Sequence, residues 1–231
     1  DVLAEEEIKA CYPQDLKGKH ILITAGPTQE AIDPVRFISN HSSGKMGLAL
    51  SRECTRRGGE VTLVLGPCST PLPVGTAASI IHITSAQEMY EATLHAWDKQ
   101  DAAILCAAVA DFTPQIHAEH KIKKVPGQTQ MDIHLTQTPD IAAALGKTKT
   151  SRQRLIGFAL ETQNETANAQ KKLTSKNLDL IVLNSLQDAG AGFGVDTNKV
   201  TLIDKTKESD LPLMSKQEVA HEIVNTLIAI L

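Results

Sequence analysis

Short apolar runs alternate along this chain with longer amphipathic stretches, and that rhythm predicts its elements. His20-Ile21-Leu22-Ile23-Thr24 reads as a buried strand. After a loop, the pattern turns helical over 45–57 and stops at Gly58-Gly59. Residues 60–65 and 79–83 are further strands, with a loop over 71–75 between them. Ser85 and Glu88 form a capping box for a helix running to about residue 99. Residues 102–109 are almost wholly apolar, the pattern of a strand covered on both faces. Alternation on both sides of Pro126-Gly127 predicts a β hairpin or flap over 115–135. Thr138 caps the next helix, with Pro139 at its first position. Then follow a strand over 155–160, a helix over 165–175 and a strand over 178–184. A glycine-rich loop over 190–197, a strand over 199–204 and an amphipathic helix over 215–231 complete the chain.

Such alternation predicts an α/β fold: a three-layer, Rossmann-like, mostly parallel sheet flanked by helices, its crossovers right-handed. Residues 1–17 are polar, with Glu5-Glu6-Glu7 and a Tyr12-Pro13 break. They are expected to be a linker or the remnant of an N-terminal helix, and 18–231 a single domain. No internal repeat or low-complexity tract is visible.

Composition narrows the function classes. A net charge of -4 argues against a general nucleic-acid binder. No apolar run reaches membrane-span length and no signal peptide is visible. Cys11, Cys54, Cys68 and Cys106 are scattered without a CxxC pair, which suits a reducing cytoplasm and offers no zinc site. Cys54 and Cys106 sit in apolar runs, as buried thiols do. The eight His are dispersed, with no pair at metal-ligand spacing. The first residue is Asp, so the chain is expected to be processed or excised from something longer.

The candidate chemistry lies in residues 26–47, GPTQEAIDPVRFISNHSSGKMG, between the first strand and the first long helix. A strand, a small-residue loop and a helix start bring backbone N–H groups and the positive helix end together. A phosphate cradle and a plain tight turn both fit. The GxxxxGK[ST] pattern fails, because Ser39 stands at its first glycine and Met46 follows Gly44-Lys45. GxGxxG fails because Ala25-Gly26-Pro27-Thr28 follows the strand. Asp111, after the small-residue run Cys106 to Ala110, suits a helix or turn cap as well as a ligand residue. The His120-Lys121-Ile122-Lys123-Lys124 cluster suits a solvated face or a cationic lid. Lys172 and Lys176, four apart, share a helix face.

The stretch TAGPTxExIDPVRxISNxSSGKMG resembles the N-terminal signature of the phosphopantothenoylcysteine synthetase family. That family is the ligase of coenzyme A biosynthesis, fused in most bacteria behind a flavin-dependent decarboxylase. AAVADF at 107–112, KIKK at 121–124, GFAxET at 157–162 and GAGFGVDT at 190–197 extend the resemblance over nearly everything from Lys17 onward. It departs from the usual form at Gln29, Ala31 and Phe37, where Arg, Pro and Tyr are expected.

The resemblance implies a two-step ligation. The carboxylate of 4'-phosphopantothenate attacks the α-phosphate of a nucleoside triphosphate, and the amine of L-cysteine then attacks the acyl-nucleotide. The bacterial look of SNHSSGKMG and KIKK implies CTP, with ATP as the alternative. Asn40 and Lys121 are the implied catalytic residues, Lys121 on a mobile lid. The nucleotide falls to Gly26, Ser42, Gly44, Gly47, Cys106, Ala107, Asp111, Lys121, Pro139, Asp140, Ile141, Ala142, Phe158, Lys172 and Lys176. The substrate falls to Arg36, Asn40, Ala107, Ala108 and Asp111, with Arg36 reaching from a neighbouring subunit. The implied protein is a cytoplasmic homodimer with shared sites, binding neither nucleic acid nor membrane. Mg²⁺ (or Mn²⁺) is held mainly by the triphosphate, and FMN is not expected in this domain. A reductase on a similar sheet would want Tyr-x-x-x-Lys, but Leu16 and Leu94 follow Tyr12 and Tyr90 at that spacing. A silent nucleotide-sensing module would not need Lys121 or Asn40.

Overall fold

The computed structural model describes residues 2–72, 75–76, 79–124, 126–127, 129–161, 163–185 and 194–231. In chain order its first elements are α1 (Val2–Ala10), β1 (His20–Ala25), the short β2 (Gln29–Ala31) and β3 (Phe37–Ser39), and α2 (Lys45–Arg56). Then come β4 (Glu60–Leu65), β5 (Ser79–His82), α3 (Ala86–Trp97), β6 (Ala102–Leu105), β7 (Phe112–Pro114), β8 (Leu135–Gln137) and α4 (Ile141–Thr148). The last are β9 (Arg154–Glu161), α5 (Glu165–Ser175), β10 (Leu180–Ser185), β11 (Thr197–Asn198), β12 (Val200–Ile203), β13 (Glu208–Asp210), β14 (Met214–Ser215) and α6 (Lys216–Ile230).

Eight strands form one sheet in the order β13-β12-β10-β9-β6-β1-β4-β5. The six from β10 to β5 run parallel, and β12 and β13 add antiparallel to one edge. Side-chain alternation divides the core into two layers. Ile21, Ile23, Val61 and Leu63 pack under α2 and α6, whereas Leu22 and Val64 point to the side of α3, α4 and α5. Both helix layers are thereby fixed, giving the expected mostly parallel α/β sandwich. Ser85 and Ser215 each close a capping box, with Glu88 and Glu218. Leu16 is fully buried, and Asp15 pairs with the nearly buried Arg57, so the end of the polar N-terminal segment packs on the sheet domain.

Three expectations need correction. The fourth strand ends at Leu105 rather than Val109, because the chain leaves the sheet there. Residues 106–110 instead run beside 24–28, with a parallel bridge between Pro27 and Ala108. The cap of α4 is Asp140, whose carboxylate accepts from Ala143 N–H at 2.9 Å. Thr138 instead donates its hydroxyl to Ala110 O at 2.6 Å, and its position before a proline keeps it extended. The hairpin is the β7–β8 stem, continued by Gln115 N–H to His134 O. Among the described residues between them there is no strand. Val125 and Gln128 of that excursion lie outside the described residues, as do Asp1, residues 73–74 of the predicted loop, Thr162 and residues 190–193 of the glycine-rich loop.

Candidate functional site

The sheet changes direction between β1 and β6. From β1 the chain moves outward to β4 and β5, then returns to place β6 on the other side of β1. Ligands of open parallel sheets bind beyond the strand ends at such a switch point. Here those ends are Ala25-Gly26 and Leu105-Cys106, and two adjoining cavities open above them.

The first, of about 500 Å³, contains Gly26, Asn40, Ser42, Gly44, Gly47, Cys106, Ala107, Ala108, Asp111 and Phe158 in its wall. Its floor is the start of α2. Gly44 occupies the N-cap position with φ 76°, and among the described residues no side chain caps the helix. The first-turn amides therefore lack a side-chain acceptor among the described residues and lie against the cavity, the arrangement that suits an anion. Gly47 is required for packing: a Cβ there would lie 2.4 Å from that of Ala25. Gly66 is required for a crossing, since a Cβ would fall 1.9 Å from Pro27 O. Asn40 donates from Nδ2 to Val109 O at 2.9 Å, and its Oδ1 has no partner among the described residues. Burial pushes the half-buried Cys106 thiol up to about 12, partly opposed by Lys216, so it lines the wall as a neutral thiol.

The second cavity, of about 560 Å³, contains Ala107, Asp111, Pro139, Asp140, Ile141, Ala142, Phe158, Lys172 and Lys176. The two cavities meet at Ala107, Val109, Asp111 and Phe158. Lys172 pairs with Glu161 at 2.7 Å and Lys176, just past the end of α5, with Asp140 at 2.8 Å, so these two cations are held at the rim. Burial works to raise the Asp140 carboxyl, but the Lys176 ammonium and the α4 amides outweigh it and hold it below its usual range. Asp111 is exposed, and its carboxylate has no partner among the described residues.

Two predicted residues line neither cavity. Lys121 is exposed beyond the β7 edge. Arg36 is engaged by Asp33, through Nε at 3.1 Å and Nη2 at 2.5 Å. Conversely, Lys45, Asn184, Asn198 and Lys216 line the first cavity without having been singled out. Asn198 donates to Asn184 at 2.7 Å, and Lys45 pairs with Asp196 at 2.6 Å. The ammonium of Lys216, nearly buried, donates to Val195 O and Thr197 O. Burial and the Lys45 charge push its pKa down against Asp196. The sequence signal for Lys216 is slight: a lysine at the first position of an otherwise amphipathic helix.

A larger cleft of about 780 Å³ lies between α2 and α6 and shares only Lys45 and Lys216 with the first cavity. It lies to the side of the strand ends, so the paired cavities at the switch point are the stronger candidate. Among the described residues no cluster of three His, Cys, Asp or Glu side chains could hold a metal ion. Among the described residues, Asp111 lines both cavities with a carboxylate that has no partner. One hard carboxylate fits a divalent cation that brings most of its own oxygen ligands.

The family model for the DNA/pantothenate metabolism flavoprotein C-terminal domain matches residues 16–231. The coenzyme A biosynthesis bifunctional protein CoaBC of Bacillus subtilis (strain 168) is 48% identical over 229 residues, covering 99% of this chain and 55% of that protein. A protein described as a cysteine/cysteine sulfinic acid decarboxylase, from an unknown prokaryotic organism, is 52% identical over 223 residues, covering 96% and 61%. The crystal structure of the C-terminal domain of CoaBC matches with a TM-score of 0.77 at 40% identity, covering 94% of this chain and 97% of that one. The chain thus spans little more than half the length of the curated relatives it matches.

Proposed function

Since the chain belongs to the DNA/pantothenate metabolism flavoprotein C-terminal domain family, we propose that it is a phosphopantothenate–cysteine ligase acting in coenzyme A biosynthesis. In the proposed reaction, a carboxylate oxygen of 4'-phosphopantothenate attacks the α-phosphorus of CTP and pyrophosphate leaves. The amine of L-cysteine then attacks the acyl carbonyl, the C–O bond to the nucleotide breaks, and 4'-phosphopantothenoylcysteine and CMP are released. The observation that carries the reading is the pair of cavities joined at Asp111 and Phe158. One offers an uncapped helix start for an anion beside Asn40, and the other offers Lys172 and Lys176.

Phosphoryl transfer needs positioned charge more than a strong base. In this reading the α2 amides take negative charge on the phosphates as pyrophosphate departs. Phe158, between the cavities, offers a flat apolar face to a base or an acyl chain. Asn40, braced by Val109 O, orients the activated carbonyl for the amine in this reading. Lys121 adds a point cation from the segment beyond β7. Mg²⁺ (or Mn²⁺) bound with the triphosphate would meet Asp111 and supply further charge neutralisation. FMN has no part in this reading.

We propose further that two copies associate and share sites. Val35, Phe37, Phe112, Ile116, Met131, Ile133 and Leu135 are exposed apolar side chains on or beside the β2–β3 and β7–β8 pairs, which pack against each other. Exposed apolar surface on this scale marks an interface. The natural location of such a protein is the cytoplasm, with a flavin-dependent decarboxylase as fusion partner, as the two-part CoaBC relatives support. No helix among the described residues is long and apolar enough to cross a membrane.

The test is pyrophosphate release from CTP and, in parallel, ATP, with Mg²⁺, 4'-phosphopantothenate and cysteine, omitting each in turn. Release that requires phosphopantothenate, faster with CTP, is expected. Preference for ATP would overturn the base assignment. No release with either would overturn the ligase reading for this chain.

A further inference from the structure

Asp33 is an acid that the proposed reaction leaves idle. It sits in the turn between β2 and β3, and its side chain is fully buried although Arg36 beside it is 42% exposed. Its carboxylate is saturated with donors. Oδ1 accepts from Val35 N–H at 2.9 Å and from Arg36 N–H at 2.8 Å. Oδ2 accepts from the Arg36 guanidinium and from Ile122 N–H at 3.1 Å. The first four bonds are local and need nothing outside the turn. The fifth crosses to the segment beyond β7.

That crossing is reciprocated. Arg36 Nη2 donates to Ile122 O at 3.0 Å, so both polar groups of one peptide residue are taken by one ion pair. Nearby, Ala118 N–H donates to Ile32 O at 3.1 Å. Residues 118–122 thus lie along the 32–36 turn on three hydrogen bonds, although no ladder pairs them. Ile122 is the neighbour of Lys121, whose own side chain reaches out into solvent.

We infer that the Asp33–Arg36 pair is a clasp that fixes the backbone at Ile122 and so sets where Lys121 can reach. Asp33 acts through Arg36 and the Ile122 peptide, making it a positioning residue. Two of the three bonds involve a charged group, the stronger class of hydrogen bond. The clasp leaves Arg36 Nη1 without a partner among the described residues, so the guanidinium can hold this segment and still offer two donors outward.

The consequence for catalysis rests on the ligase reading; the clasp itself does not, and the experiment separates them. Amide hydrogen exchange across 116–124 is measured on the full chain without ligands, for the parent, Asp33→Asn, Ile122→Pro and Ile122→Ala. Asp33→Asn removes the charge, Ile122→Pro removes the N–H given to Asp33 and also fixes φ at that residue, and Ile122→Ala keeps the N–H. Exchange over 118–124 is expected to accelerate about tenfold or more in the first two variants and to stay parental in the third, with β1, β4 and β6 unchanged. Parental exchange in a folded Asp33→Asn or Ile122→Pro protein overturns the clasp. So does acceleration spread evenly over the sheet, which marks a merely structural role. If Asp33→Asn does not fold, Ile122→Pro against Ile122→Ala decides. In the pyrophosphate assay both clasp variants should lower kcat about tenfold or more, with the KM for phosphopantothenate within about twofold of parent. A parent that releases no pyrophosphate defeats the ligase reading and leaves the exchange result standing. Accelerated exchange with parental kcat defeats the link to Lys121.

Discussion

Gly47→Ala tests the packing that presents the helix start to the first cavity. The added Cβ would lie 2.4 Å from Ala25 Cβ and 3.1 Å from its Cα. Two carbons in contact settle at about 3.5–4.0 Å, so more than about 1 Å must be found. Neither neighbour can swing away. Ala25 is fully buried in β1, a central strand, and Gly47 is in the first turn of α2. Overpacking of this kind costs about 3 kcal/mol when backbone has to move. Alanine in a helix returns about 1 kcal/mol of propensity, leaving a net loss of about 2 kcal/mol. For a chain of 231 residues the unfolding entropy is about 0.5 kcal/mol/K, so the melting temperature should fall by about 4 °C. The shift moves the α2 amides relative to the cavity, and triphosphate binding should weaken about tenfold or more. Ala25→Gly in the same chain removes the closest atom and should recover about 1–2 kcal/mol relative to additive behaviour. Calorimetry on the four proteins of the cycle, with nucleotide titration, checks both effects. A Gly47→Ala protein that melts with the parent, or a cycle additive within about 0.5 kcal/mol, would refute the reasoning.

Asp15 supplies a pH signature. Arg57 holds its carboxyl below the usual range despite partial burial. A lowered folded-state pKa gives stability that is complete above the unfolded value of about 3.9 and is lost as pH falls through the folded value. Asp15→Asn should therefore cost about 1 kcal/mol near neutrality, and in urea titrations the gap from the parent should close as pH falls below about 4. A gap that is constant with pH would refute the pairing. Lys121→Gln should slow pyrophosphate release about 100-fold without lowering the melting temperature, and normal release would remove Lys121 from the mechanism.

Much of this architecture could be read locally. Both capping boxes are four-residue motifs, and Ser85–Glu88 was visible as such; β1 and β4 are apolar runs with turn residues at their ends. The end of β6 could not be read that way. Cys106 to Ala110 are as apolar as the strand before them, and only pairing with residues 24–28 shows that the chain has left the sheet. At α4, two residues that can cap a helix stand two apart, and the tertiary bond from Thr138 to Ala110 O decides between them. The loop that lines the first cavity was legible because a strand, glycines and a helix start are contiguous. Lys216 and Asn198 were not, because they reach the same cavity from the far end of the chain. The Asp33–Arg36 pair is a sequence neighbour contact, whereas its hold on Ile122 depends on how the β2–β3 turn and the segment after β7 meet.

The central claim is that a carboxylate oxygen attacks the α-phosphorus, and isotope transfer tests it most directly. 4'-Phosphopantothenate labelled with ¹⁸O in its carboxylate is converted with CTP, Mg²⁺ and cysteine, and the products are weighed by mass spectrometry. The account predicts one ¹⁸O in CMP and none in pyrophosphate. Label in orthophosphate, with CDP formed, would place the attack on the γ-phosphorus, and unlabelled CMP would show that no acyl-nucleotide was made; either would contradict it.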